Sequence, residues 1–306
     1  MDAYSTDAAN LTYSDRPPVL IAATSDAAMA RAERAVGASG LRVGAKLPLE
    51  LASERIGRQG KAAAVWLEID ADCGGPMDEL LDLVAMDVRN GRYAAVVSVT
   101  REVLDPVAAR IDEPAIELIA AADDSERVAA LATLIGLHHA PNRISDVASD
   151  RSAERLRQLS DEVSRIAATL ARLSAGPGAA PRALEPVRAA DLPPLSVETV
   201  RNVIRARRLR SRYFPEDLFA DPAWDMLLDL LQAEIAQLRV PVSSLCIAAA
   251  VPATTALRWL KTMVAKGVFI RRADPHDGRR VFVELAPEAS QALRRYFAEV
   301  GPVAAI

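Results

Sequence analysis

The chain has 306 residues, enough for two domains, and its 51% hydrophobic content can supply a core for each. It has no uninterrupted apolar run of membrane-spanning length, and the N-terminal MDAYSTDAANLTYSDRPP has neither the basic nor the apolar part of a secretion signal. Cys73 and Cys246 stand far apart, without metal-ligand or disulfide-framework spacing; together these features predict a cytoplasmic protein with no membrane contact.

The net charge of −4 is unevenly distributed. Residues 1–150 carry 14 Lys/Arg against 24 Asp/Glu, a net of −10, whereas residues 196–306 carry 16 against 12, a net of +4. Such segregation fits an acidic partner domain joined to a cation-bearing reader of nucleic acid, with salt-dependent affinity.

Residues 1–16 read as a disordered polar tail, and residues 17–140 as the first domain. Apolar runs of strand length occur at Val19–Ala23, Leu41–Gly44, Ala63–Ile69, Ala94–Val99 and Ile116–Ala120. Helical segments alternate with them at Asp26–Val36, Glu50–Ile56, Met77–Val88 and Val103–Arg110, and Ser125–His138 follows with Ser125 as its expected cap. Strands this continuously apolar belong to a parallel sheet covered on both faces. The prediction is an α/β doubly wound five-stranded parallel sheet.

From Pro17 to His139 this architecture resembles the receiver domain of bacterial response regulators, with a flavodoxin-like fold. The resemblance implies acidic residues after the first strand, a phospho-accepting aspartate ending the third, a switch hydroxyl after the fourth and a lysine after the fifth. Here the first strand runs into Ala22-Ala23-Thr24-Ser25, the third places Glu68 at the accepting position, Thr100 matches the switch hydroxyl, and Ala121-Ala122 replaces Lys-Pro. Glu68 and Thr100 therefore make a degenerate receiver site, and the domain reads as a pseudo-receiver. A permanent carboxylate at Glu68 would imitate the phosphorylated state; the other reading is an acidic group at the sheet's carboxyl edge with no special role.

In residues 151–174, Leu156, Leu159, Val163, Ile166, Leu170 and Leu173 recur at intervals of 3 and 4, the seam of a coiled-coil dimerisation helix. The same period also describes a single amphipathic helix lying on one of the domains. Residues 175–195, AGPGAAPRALEPVRAADLPPL, form a Pro/Ala/Gly linker.

Residues 196–306 open with the capping pair Ser196 and Thr199, and Asp221-Pro222 starts a second helix. From Pro241 to Leu285 the order is short helix, turn, second helix, strand, charged loop and return strand, the layout of a winged helix-turn-helix. In the second helix, Pro252 to Lys266, Leu257, Leu260 and Val264 form an apolar stripe. The opposite face offers Thr254, Thr255, Arg258, Lys261 and Thr262. The turn cluster Asp274–Gly278 is flanked by Arg271, Arg272, Arg279 and Arg280, cations that a hairpin can hold out to phosphates or a minor groove.

The string DPHDGRRVFVEL resembles the wing of the MarR family of bacterial regulators, with Asp277 and Arg279 at its Asp-x-Arg positions. The resemblance implies that Arg279 enters the minor groove while Asp277 orients it, and that the first and last helices of this half build a dimer. Leu285-Ala286-Pro287-Glu288 departs from the family's usual Leu-Thr ending.

The expected function is transcription regulation by a homodimer on double-stranded DNA, in the cytoplasm and at the nucleoid. Thr254, Thr255 and Arg258 are expected to read bases, and Lys261 to hold phosphate. Arg271, Arg272, Arg279 and Arg280 line the wing. The alternatives are a winged-helix adapter for protein, and a phospho-responsive regulator with an active receiver. His138, His139 and His276 have no nucleophile or ligand set at useful spacing, so neither catalysis, metal nor cofactor is expected, and no effector is specified.

Overall fold

Three unbroken apolar runs form the interior of a parallel sheet. β1 (Val19–Ala23), β3 (Ala64–Ile69) and β4 (Ala94–Val99) are buried at every position. β2 (Val43–Pro48) and β5 (Ile116–Ala120) flank them in the order β2-β1-β3-β4-β5, with every pair parallel. This computed structural model describes residues 18–58, 62–138 and 194–304. The coiled-coil positions Leu156, Leu159, Val163, Ile166, Leu170 and Leu173, and nearly all of the linker, lie outside the described residues.

Parallel strands need both faces covered. α1 (Asp26–Ala38) and α5 (Asp124–His138) lie over Val19, Ile21, Trp66 and Val96. α2 (Ala52–Gly57), α3 (Gly75–Arg89) and α4 (Leu104–Arg110) cover the residues of opposite parity, Leu20, Val65, Leu67 and Val97. The result is an α/β sheet in the flavodoxin-like strand order, with its crevice at the carboxyl ends of β1 and β3.

Two local expectations are corrected. β2 begins two residues late and runs to Pro48, because an edge strand alternates half-buried and exposed positions instead of forming an apolar run. The cap of α5 is Asp123, not Ser125. Its carboxylate accepts the Glu126 N–H at 2.8 Å, and Glu126 in turn accepts the Asp123 N–H at 3.0 Å, a reciprocal capping box.

The second unit begins at α6 (Val197–Leu209), where Ser196 accepts the Thr199 N–H at 3.1 Å. α7 (Pro222–Ile235) is capped by Asp221. α8 (Val242–Ala248) and α9 (Ala253–Ala265) meet at 108° across a tight turn. Gly267, at φ +69°, ends α9 in the left-handed conformation that glycine adopts without a Cβ clash. β6 (Val240–Pro241), β7 (Phe269–Ala273) and β8 (Val281–Leu285) form an antiparallel sheet in the order β6-β8-β7, and α10 (Pro287–Ala304) follows. Leu230, Leu231, Leu245, Leu260, Phe269, Val283, Leu293 and Phe297 pack its core. Among the described residues, no single helix is long and apolar enough to cross a membrane.

The apolar cluster does not stop at the boundary between the units. Leu104, Val107, Ile111 and Ile116 belong to one continuous cluster with Val242, Leu245, Leu257 and Leu260.

Candidate nucleic-acid interface

α9 lies antiparallel along β5, the open edge of the parallel sheet. The Thr254 hydroxyl faces the Ala120 backbone, with N–H and C=O each at 3.4 Å. Farther along, Arg258 meets the Glu117 carboxylate through Nε at 2.9 Å and Nη2 at 2.7 Å, and Lys261 donates to the Pro114 carbonyl. Unpaired backbone at a sheet edge needs cover, and this helix supplies it.

Neighbouring elements extend the contact. Asp105, in the first turn of α4, accepts the Ser243 N–H at 2.9 Å and the Ser243 hydroxyl at 2.5 Å, so a carboxylate from one unit caps a helix of the other. On β7, Arg271 donates to the Ile111 carbonyl at 2.9 Å, to Asp112 at 2.8 Å and to the Ala108 carbonyl. Burial pulls the Arg271 guanidinium below its ordinary pKa, against the pull of Asp112. At the hairpin loop, Arg279 reaches Asp72 at 2.5 Å and Asp78 at 3.5 Å, beside the start of α3. That arginine holds the Asp72 carboxyl below its ordinary value. A cavity of about 280 Å³ remains between the units, with Leu118 and Leu257 among its apolar walls and Arg258, Lys261 and Arg271 among its cations.

Thr254 had been expected on an open polar face; it is 3% exposed, because β5 covers that side of the helix. Thr255 is half-buried. Arg272 and Arg280 stay within the hairpin, paired with Glu284 at 2.9 Å and Asp277 at 3.2 Å. Asp277 also accepts the Arg279 N–H at 3.0 Å, which shapes the loop that carries Arg279. Sequence reasoning did not pick out Asp72, Asp105, Asp112 or Glu117 as partners of these cations. The signal for them was the acidic balance of residues 1–150.

The crevice of the parallel sheet is arranged differently from expectation. Glu68 is 2% exposed, one pleat below the strand end. It accepts from Arg31 Nε, Arg127 Nη2 and Trp66 Nε1, each at 3.0 Å. The strand-end acid is Asp70. Since Ile69 pairs with Val99, the next residues, Asp70 and Thr100, lie side by side. Asp70 accepts from the Thr24 hydroxyl at 2.6 Å, the Ser25 hydroxyl at 2.7 Å and Arg31 at 3.1 Å. Glu68 is thus a buried ion-pair centre and not an acid at the mouth of the crevice. Among the described residues, no group of three or more His, Cys, Asp and Glu is placed to hold a metal ion.

These features define an α/β unit of flavodoxin-like strand order, with α9 and the cations of the β7–β8 hairpin packed along its edge strand. No protein-family model matches the chain, and no curated protein matches it. Among solved structures it is similar to the transcriptional regulator Tm0710 of Thermotoga maritima, at 19% identity and a TM-score of 0.21, over 34% of this chain and 79% of that one.

Proposed function

We propose that the protein is a DNA-binding transcription regulator, non-enzymatic, acting in the cytoplasm as a homodimer at the nucleoid. One observation carries the reading: α9 and the β7–β8 hairpin present Arg258, Lys261, Arg271 and Arg279 on one side of a helix-turn-helix, where each binds an anionic or carbonyl oxygen. A winged helix-turn-helix uses those positions on DNA. Arg258 and Thr255 read base edges, Lys261 holds phosphate, and Arg279, set by Asp277, enters the minor groove. The exposed Leu209, Tyr213, Phe214 and Tyr296 on α6, the turn after it and α10 suit a dimer surface. The MarR-like resemblance of the hairpin supports the same arrangement.

The receiver-like unit does not take up phosphate in this reading, since Thr24, Ser25 and Arg31 already occupy the Asp70 carboxylate. A second reading, a winged helix that binds protein, has its own support: the cationic face already packs against a protein surface. Binding of the full chain to genomic DNA fragments across a salt series separates the two. The regulator predicts affinity falling steeply with salt, with some fragments retained at high salt. Absence of DNA binding at low salt by folded protein selects the adapter.

A further inference from the structure

We infer that the acidic edge formed by β5, α4 and the start of α3 is a docking surface for the chain's own cationic face, and that docking keeps the protein from DNA. This rests on the DNA-binding reading above and adds its regulation.

Steric fit comes first. A helix entering the major groove needs its long side free, since the groove is only about as wide as a helix with its side chains. Here that side of α9 is taken. Thr254 is 3% and Leu257 7% exposed, and contacts run from Ala120 to Pro114 along the strand. DNA and β5 therefore compete for the same surface of one helix.

Chemistry agrees. Glu117, Asp112 and Asp72 set three carboxylates against Arg258, Arg271 and Arg279, where a duplex would set phosphates and base acceptors. Asp105 adds a further carboxylate to the contact, accepting the Ser243 N–H and hydroxyl in the first turn of α8. The units are charged to attract, a net of −10 over residues 1–150 against +4 over residues 196–306.

The rim of the contact is polar and wet, around the apolar cluster that the two units share. Its ion pairs are partly solvated, with Asp112 79% and Arg258 50% exposed in their side chains, and the cavity of about 280 Å³ leaves the apolar surfaces incompletely packed. A chain that binds DNA only when open has its affinity lowered by the fraction that is open.

The test compares three full-length proteins at one ionic strength: the natural chain, a docking triple (Asp72→Asn, Asp112→Asn, Glu117→Gln) and a control triple (Glu33→Gln, Glu54→Gln, Asp124→Asn). Both triples remove three negative charges, and the control residues pair within the first unit, with Lys46, Arg58 and Arg34. The docking triple is expected to bind DNA about tenfold more tightly and the control within about twofold of the natural chain. Amide hydrogen exchange is expected to quicken along Ala253–Ala265 and Ile116–Ala120 in the docking triple alone.

An equal gain in both triples would reduce the effect to bulk charge and overturn the docking surface. Equal DNA affinity in all three, with unchanged exchange along α9, would also overturn it while leaving the DNA-binding reading intact. Faster exchange in the docking triple with no DNA binding by any protein would end the DNA-binding reading, and the inhibitory role with it.

Discussion

A carboxylate persists in a protein interior when its charge is met, and Glu68 meets two guanidinium groups and an indole N–H. Replacing it by Gln keeps the shape and removes the charge, leaving Arg127, itself 8% exposed, with only the solvated Asp124 carboxylate at 3.6 Å as a counter-ion. Glu68→Gln is expected to cost about 3–5 kcal/mol in urea unfolding, as for other buried pairs stripped of one partner. A change below about 1 kcal/mol would mean that solvent or Asp70 replaces the lost charge. Asp70 itself predicts a pH dependence. Burial pushes its carboxyl up, but the Thr24 and Ser25 hydroxyls and Arg31 outweigh this and hold it below the ordinary 3.8. Its contribution to stability is therefore complete above that value and fades as pH falls through the lowered one. Asp70→Asn is expected to flatten that acid limb, measured by thermal unfolding between pH 5 and 2, and to leave the pH dependence above 5 as it was. At this scale the sequence pointed to Glu68 as the acid at the strand end, a place the structure gives to Asp70. Glu68 and Asp70 are two residues apart, and only pairing with β1 and β4 places Asp70 beside Thr24 and Thr100.

Most elements were legible because each carries its own local signal. β1, β4 and β5 have the ends their apolar runs predict, β3 starts one residue later, and α4 starts at Leu104, one residue later than predicted. β2 slipped because edge burial leaves alternation, a weaker pattern than a continuous run. The cap of α5 was misplaced because Asp123, Asp124 and Ser125 are all competent caps, and only the reciprocal bond with Glu126 selects among them. α9 differs in kind. Its stripe of Leu257 and Leu260 was readable as buried, but the burial of Thr254 has no local cause. A polar face looks the same in sequence whether it meets water, DNA or another unit of the chain.

Across the whole molecule, the continuous apolar cluster makes the two units energetically dependent on each other. Urea unfolding followed by tryptophan fluorescence and by far-ultraviolet circular dichroism is expected to give one coincident transition. Trp66 reports on the first unit, and Trp224 and Trp259 on the second. The docking triple should pull the two signals apart; separate transitions in the natural chain would show the interface to be too weak to couple them. The sequence by itself determined the α/β class, the alternation of strands and helices, the two helices and cationic hairpin between Pro241 and Leu285, and the charge difference between the halves. All of these follow from periodicity, caps and composition over windows of a few to a few dozen residues. Only the tertiary structure decided that α9 covers β5, that Asp72, Asp112 and Glu117 take the arginines expected to meet DNA, and that Glu68 is buried. Those pairings join residues more than a hundred positions apart, or adjacent strands in a particular register. Such contacts are selected by packing and charge in three dimensions, which no local pattern records.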